Sequence, residues 1–414
     1  MPDLACPREK EVVLTYAEPL LARSMTFVRT QAEGLTRFST YYIAPHYQRD
    51  GLALPKERVV VMRSGQGVIS RLTEVPFKLL GVAPVYTRRL RKLRPALLHA
   101  HFGFSGLRAL PLARTLGIPL VVTFQGCDAT TYDEFLRADS LYSVRTYVRR
   151  RKVLDVGASL LIAVSNFIRD EMIRQGFSAN KIVVHYVGVD TELFRPEPGV
   201  KREPIVLFTG RLVEKKGCEY LIRAMAKVQS ASPHVELVMI GDGPLRPELE
   251  RLAGQSLRKF RFLGFQPPEV VKHWMSRAQL FGAPSIRARS GEAEGYPNAF
   301  AEAQAMRLPV VSFASDGVRE AVVHGETGFL APESDTDALA HQLQRLCADE
   351  FLCARMGEAA RRRISTEFNL RTQTRKLEEL YMRVLGKDAT QLTSHMRVEP
   401  DNEQRFEEAL DSQR

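Results

Sequence analysis

The chain has 414 residues, 44% of them hydrophobic and 26% charged, with one Trp and five Cys. At about 100–200 residues per domain it holds two or three domains. Its longest apolar stretches, Leu160 to Val164 and Ile205 to Phe208, fall far short of the ~20 residues that span a bilayer. The start, Met1 to Lys10, with its Pro, Asp and Glu, does not resemble a secretory signal. Cys6, Cys127, Cys218, Cys347 and Cys353 form no CxxC pair and no metal-ligand spacing. An odd, scattered set points to a reducing, cytoplasmic setting and away from disulfide scaffolds and zinc ribbons.

The net charge is +11, and it is unevenly placed. Residues 1–190 carry 27 Lys and Arg against 16 Asp and Glu, so the whole excess lies in the first half. Two clusters stand out, Arg88–Arg94 and Arg145–Lys152. Each reads either as a solvated helix face or as a footprint for an anionic surface. In the first, Val85, Tyr86, Leu90 and Leu93 interleave with the cations at a spacing that suits an interfacial helix at an anionic membrane.

In chain order, short apolar runs predict strands at Val12 to Tyr16, Tyr41 to Ala44, Val59 to Met62, Ala96 to Ala100, Leu120 to Phe124, Leu160 to Val164 and Ile182 to His185. Apolar throughout and separated by helical segments, they read as parallel strands buried on both faces. A linker at Thr191 to Pro204 holds three prolines and a glycine. The pattern then restarts at Ile205 to Thr209, Val235 to Ile240, Arg261 to Leu263, Leu280 to Ala283 and Val310 to Phe313. Helices are expected at Glu219 to Val228 and Ala299 to Ala305, and a last one from about Leu370 to Leu385. The fold class is α/β, two doubly wound domains in tandem, with the ligand expected in the cleft between them. Beyond Gly386, eleven charged residues in 28 and few large apolar ones predict a disordered tail.

Gly291 to Met306, GEAEGYPNAFAEAQAM, carries the most chemistry. Pro297 suits the first turn of a helix, which puts Glu302 about 7.5 Å further along the axis. Between Glu294 and Glu302 lie free N–H groups of a helix start, which favour phosphate. Ionised carboxylates accept from vicinal sugar hydroxyls, so a nucleoside diphosphate-sugar could lie across this segment. Gly210-Arg211 at a strand end and Lys215-Lys216-Gly217 opening a helix supply cations suited to a diphosphate. Gly241-Asp242-Gly243-Pro244 reads as a tight strand-to-helix turn, and His101 sits just past a strand, where ligand-facing residues collect. Asp335-Thr-Asp337 reads as a helix start rather than a metal site.

These residues resemble the retaining glycosyltransferases of family four, which have the GT-B fold of two facing Rossmann-like domains. The markers, over about residues 12–385, are SMTFVRTQ at Ser24, HAHFGFSG at His99, TFQGCD at Thr123, AVSNFIRDEM at Ala163, VGVDTELF at Val187, GRLVEKKG at Gly210, IGDGP at Ile240 and EGYPNAFAE at Glu294. The SMTF and TFxGxD forms look most like the branch that builds bacterial exopolysaccharides of the colanic-acid type. The resemblance implies an acceptor-side domain over 1–195, a donor domain over 205–368, and a helix over 369–386 that returns to the first domain.

It further implies that Arg211 and Lys216 hold the donor diphosphate, that Glu294 binds the transferred sugar and that Glu302 binds the ribose. Gly295, Tyr296, Pro297 and Asn298 would complete the donor site, and Phe262 and Leu263 would frame the base of a UDP- or GDP-sugar. His101 would act at the reaction centre, with Ser24, Thr26, Gln125 and Asp128 on the acceptor side. No metal or other cofactor is implied, because the Arg and Lys take the charge role. The implied acceptor is a surface-polysaccharide or polyprenyl-diphosphate-linked glycan, reached by a cytoplasmic enzyme at the inner face of the membrane.

Departures are Gln125 where the branch has His, the glycine-free Ala17 to Met25, Arg307 for the usual Gly, and Asp316-Gly317-Val318 before Arg319-Glu320. Two alternatives stay open: a same-fold nucleotide-sugar epimerase or sugar phosphorylase, and a basic protein that binds nucleic acid or membrane without catalysis. The nucleic-acid reading lacks aromatic-interleaved basic strands, and no nucleic-acid partner is expected.

Overall fold

The computed structural model describes residues 10–18, 20–23, 25–46, 51–63 and 83–387, with the side chains of 63, 142 and 143 excepted. Ser24 and the segment expected to form a disordered tail, apart from residue 387, lie outside the described residues. The chain divides into two compact units. One runs to Val164, takes in Ile168–Val187 and resumes at Arg371; the other holds Ser165–Phe167 and Gly188–Leu370.

The first unit contains, in chain order, β1 (Glu11–Tyr16), α1 (Thr26–Glu33), β2 (Phe38–His46), β3 (Val59–Arg63), α2 (Pro84–Arg91), β4 (Pro95–His101), α3 (Gly103–Leu116), β5 (Leu120–Phe124), α4 (Asp133–Ala138), α5 (Tyr142–Gly157), β6 (Leu160–Ala163) and β7 (Ile182–Val184). Its seven strands lie in the order β3-β2-β1-β4-β5-β6-β7, all neighbours parallel. Runs such as Leu120–Phe124 and Leu160–Ala163 are buried at every position, which explains why they read as unbroken apolar stretches without alternation.

The second unit holds β8 (Glu203–Thr209), α6 (Cys218–Ala231), β9 (Glu236–Ile240), α7 (Arg246–Ser256), β10 (Phe260–Phe262), α8 (Pro268–Arg277), β11 (Ala278–Gly282), α9 (Asn298–Ala305), β12 (Val310–Phe313), β13 (Gly328–Ala331), α10 (Thr336–Ala348) and α11 (Glu350–Glu367). Its sheet, also parallel, runs β10-β9-β8-β11-β12-β13. Strand β13 is not expected from sequence: it opens on Gly328, three residues after Gly325, and glycines so placed read as turn rather than strand. Asp335 caps α10, accepting from Ala338 N–H at 2.9 Å, and Asp337 pairs with Lys227.

The last helix, α12 (Leu370–Val384), lays Leu377, Leu380 and Tyr381 against Val13, Phe38, Leu97, Val121 and Ile162 of the first sheet. Its spacing also buries Glu378, whose carboxylate accepts from Thr36 N–H (2.6 Å), Thr36 Oγ1 (3.0 Å) and Arg37 N–H (2.6 Å). Buried carboxylates persist only with such partners.

The apolar residues of α2 divide between core and surface. Tyr86 and Leu90 are buried, and the Tyr86 hydroxyl donates to the carbonyls of Ala44 (3.3 Å) and Val60 (3.0 Å). Tyr86 and Leu90 thus pack on their own domain, while Val85 of the same stripe is exposed.

Candidate functional site

In a doubly wound sheet, ligands bind outside the carboxyl ends of strands where the strand order reverses. In the second unit that point lies between β8 and β11. The chain leaves β8 through Gly210-Arg211 and reaches Lys215 and Lys216 before α6; it leaves β11 through Ala283-Pro284 into the segment that carries Glu292 and Glu294. Backbone contact locks the two loops together. Ile286 N–H donates to the Lys215 carbonyl at 2.9 Å, and Gly217 sits at φ +59° where a Cβ would lie 1.9 Å from the Pro284 carbonyl oxygen. Only glycine satisfies both the left-handed backbone and that approach.

Side chains pair across the same seam. Lys216 Nζ lies 2.6 Å from Glu294 Oε1, and Lys215 Nζ lies 2.8 Å from Glu292 Oε1. Burial alone would push the Glu294 carboxyl up; the ammonium of Lys216, and behind it that of Lys215, outweigh this and hold it below the usual range. Arg211 is exposed beside the pair in sequence. Lys216 and Glu294 are thus brought together in the second unit, with the Glu294 carboxyl held in its ionised form at neutral pH.

The helix start expected near Pro297 is present. Pro297 occupies the cap position of α9, and Asn298 opens the helix. Glu302 lies one turn in, and burial pushes its carboxyl up to about 7. The Tyr296 ring is buried and stacked on Phe368 at 5.2 Å, so what Tyr296 can present to a ligand is its backbone. A third loop closes against Glu294 and Gly295. Gly317 N–H donates to the Glu294 carbonyl at 3.2 Å, and a Cβ on Gly317 would lie 2.0 Å from the Gly295 carbonyl oxygen. Just before it, Asp316 adopts φ +39° and pairs with Arg287 at 2.7 Å.

Phe262 and Leu263, expected from the resemblance to frame the base, are half-buried at the end of β10. The Leu263 carbonyl accepts from Gln266 Nε2 at 2.6 Å.

In the first unit the order reverses between β1 and β4, and His101 is the last residue of β4. It is buried, and burial lowers its imidazole to about 3, so it is neutral at physiological pH. Gln125 Nε2 lies 3.3 Å from its Nδ1. The next residue, Phe102, has φ +72°, a strained backbone of the kind found at functional sites. Asp128 is fully buried, and its carboxylate accepts from the backbone N–H groups of Gly103 (2.7 Å), Gly126 (2.9 Å) and Gln125 (3.1 Å). Desolvation pushes it up against the pull of these bonds. Its carboxylate is committed to holding the loop after β5 to the start of α3. Thr26 opens α1 and is exposed.

Sequence reasoning did not assign the Lys215–Glu292 and Arg287–Asp316 pairs. The first left a signal, since two adjacent lysines face a Glu-x-Glu whose alternate side chains share one side of an extended loop. The second left none, because residues 29 apart meet only through the tertiary fold.

Among the described residues no group of three or more His, Cys, Asp or Glu is placed to hold a metal ion.

Comparison with known proteins identifies the family. Residues 26–193 match the Glycosyltransferase Family 4 model, and residues 190–363 match the Glycosyl transferases group 1 model. The chain is 32% identical over 290 residues to the amylovoran biosynthesis glycosyltransferase AmsK of Erwinia amylovora, covering 69% of each chain. It is 29% identical to the GDP-mannose-dependent alpha-(1-6)-phosphatidylinositol monomannoside mannosyltransferase of Mycolicibacterium smegmatis, over 77% of this chain and 84% of that one. The crystal structure of Anabaena HepE in complex with UDP superposes with a TM-score of 0.68 at 20% identity, covering 91% of this chain and 100% of the other. The fold is GT-B, and among the readings open from sequence the glycosyltransferase is selected. This chain belongs to the group 1, family 4 glycosyltransferases, enzymes that transfer sugar from a nucleotide-sugar donor with retention.

Proposed function

We propose that the enzyme moves a sugar from a UDP- or GDP-sugar to a hydroxyl of a surface-polysaccharide or lipid-linked glycan acceptor, without a metal. The observation that carries this reading is the Lys216–Glu294 pair at the strand-order reversal of the second sheet. Lys216 and Arg211 meet the diphosphate, Glu294 accepts from sugar hydroxyls, Glu302 from the ribose, and the segment at Phe262 and Leu263 frames the base. AmsK is by its name an enzyme of amylovoran biosynthesis, which supports a polysaccharide acceptor.

In the reaction the bond from the anomeric carbon to the phosphate oxygen breaks, and the acceptor oxygen bonds the same face. The departing phosphate oxygen takes the acceptor proton. Preorganised cations stabilise the charge that develops on the leaving group. His101, neutral and a poor base at its lowered pKa, contributes hydrogen bonding rather than proton abstraction, with Gln125 beside it on the acceptor side. The excess positive charge of the first half attracts an anionic lipid surface, so the enzyme works in the cytoplasm against the membrane.

The test is a thermal-shift panel in EDTA with UDP, GDP, ADP and their sugar conjugates. A ligand that binds only the native state stabilises by ~2.7 kcal/mol at a hundredfold excess over Kd. A shift with one base identifies the donor class and shows binding without metal. No shift at millimolar ligand removes Arg211, Lys216 and Glu302 as a donor site.

A further inference from the structure

We infer that the outer face of α5 is the surface that docks on anionic lipid. The inference deepens the membrane-facing reading above and rests on it.

One side of α5 is spent on its own domain. Val144, Tyr147 and Leu154 are buried, and the Tyr147 hydroxyl donates to the Asp128 carbonyl at 3.1 Å. Asp155, the only acidic residue of the helix, is also buried and accepts from Ser178 N–H (2.9 Å) and Ser178 Oγ (2.8 Å). What faces outward is therefore a stripe at helical spacing. Arg145, Arg149, Arg150 and Lys152 are exposed, and Val153 and Val156 stand out among them at 38% and 65% exposure, with Leu141 at 59% just before the helix. Lys152 Nζ lies 3.6 Å from the Asp155 carboxylate; the other three cations, the exposed aliphatic side chains and the lack of an exposed carboxylate on the helix make a face complementary to anionic headgroups over acyl chains. Alongside, α4 exposes Phe135, and Tyr132 just precedes it. The Arg151–Asp133 pair at 2.7 Å ties α4 to α5.

The other basic cluster offers a contrast. On α2 the apolar residues Tyr86 and Leu90 are buried, leaving Val85 as its exposed apolar side chain. Arg89 and Arg91 donate to the carbonyls of Val61 (3.2 Å) and Thr115 (2.7 Å). Cations alone attract a surface; cations with exposed aliphatic chains also insert. Exposed aliphatic chains among the cations find a place in an acyl-chain region and none on a phosphate backbone.

The experiment is co-sedimentation of the full chain with vesicles of phosphatidylcholine, alone and mixed with phosphatidylglycerol, at low and high salt. Variants are the triple Arg145→Gln/Arg149→Gln/Arg150→Gln, the double Leu141→Ser/Val156→Ser, and a control triple Arg88→Gln/Arg89→Gln/Lys92→Gln. Thermal shifts with nucleoside diphosphates check that each variant folds. The wild type is expected to bind only the phosphatidylglycerol vesicles, and less in salt. At about 1 kcal/mol per cation near the surface, the α5 triple should weaken partitioning on the order of 100-fold. The double should weaken it too, and the α2 control should stay close to wild type. Loss in the α2 control with retention in the α5 triple would overturn the assignment to α5 while leaving lipid docking intact. A wild type indifferent to vesicles overturns both, and salt-sensitive oligonucleotide binding in its place would hand the surface to nucleic acid.

Discussion

The hydroxyl of Tyr381 lies 2.6 Å from Nδ1 of His99, while Thr123 Oγ1 lies 2.7 Å from Nε2 of the same ring. His99 is buried and its imidazole is held well below the usual range by desolvation. The ring of His101 packs against it, centroids 4.4 Å apart. The helix that ends the described chain thus supports the strand that ends in His101.

Tyr381→Phe leaves Nδ1 of a buried ring without its partner. An orphaned buried polar group costs about 1–3 kcal/mol, so the melting temperature should fall by several degrees. Nucleoside diphosphate binding, proposed for the second unit, should be unchanged; calorimetry with and without nucleotide checks both.

Lys216→Ala should lower turnover about 100-fold, the scale for losing one preorganised electrostatic donor. Steady-state kinetics at saturating donor decide it, and an unchanged rate removes Lys216 from the reaction. Glu294→Gln should lose activity with the fold retained; a variant that unfolds instead makes Glu294 structural.

Glu302, with its carboxyl pushed up to about 7 by burial, binds its proton more tightly folded than unfolded. The stability this contributes is therefore present in full below the ordinary Glu range and is lost as pH rises through about 7. Glu302→Gln should gain melting temperature relative to wild type between pH 5 and pH 8. If the ionised form accepts from ribose hydroxyls, wild-type nucleotide affinity should rise over the same window, and the Gln variant should be flat. Titration calorimetry across that pH range reads both.

The buried histidines work with the opposite sign. His101 is lowered to about 3 and His185 to about 4, both chiefly by desolvation, so the unfolded chain binds protons that the native state refuses. Stability should fall as pH drops from about 6.5 toward these values. His185→Gln should melt less steeply with falling pH than wild type.

Gly317→Ala would place a Cβ 2.0 Å from the Gly295 carbonyl oxygen. With backbone on the other side, the loop must move. Overpacking of this kind costs about 1–3 kcal/mol, and displacement of Glu294 should cost most of the activity. Wild-type donor affinity in this variant would show that the contact between the two loops does not matter to the site.

Much of this enzyme is legible along the chain. Strands such as Leu120–Phe124 and Val310–Phe313, buried at every position, read as apolar runs because each excludes water on both sides, while Gly328–Ala331, equally buried, opens on a glycine and does not stand out. Loop chemistry at strand ends is partly legible in sequence, since Gly217 follows two lysines and Glu294 precedes a Gly-Tyr-Pro turn, although their pairing across the two loops is made by the tertiary fold. Tertiary structure decided what depends on distant partners. Asp128, by type a ligand candidate, is consumed by three backbone N–H groups. Glu378, by type a surface residue, is a buried anchor for residues 341 and 342 positions away. Of two basic helices with similar composition, α2 buries Tyr86 and Leu90 and leaves Val85 exposed, whereas α5 leaves Val153 and Val156 exposed among its cations. Charge and hydropathy are written residue by residue; burial is not, because it depends on which other element of the chain takes the place of water.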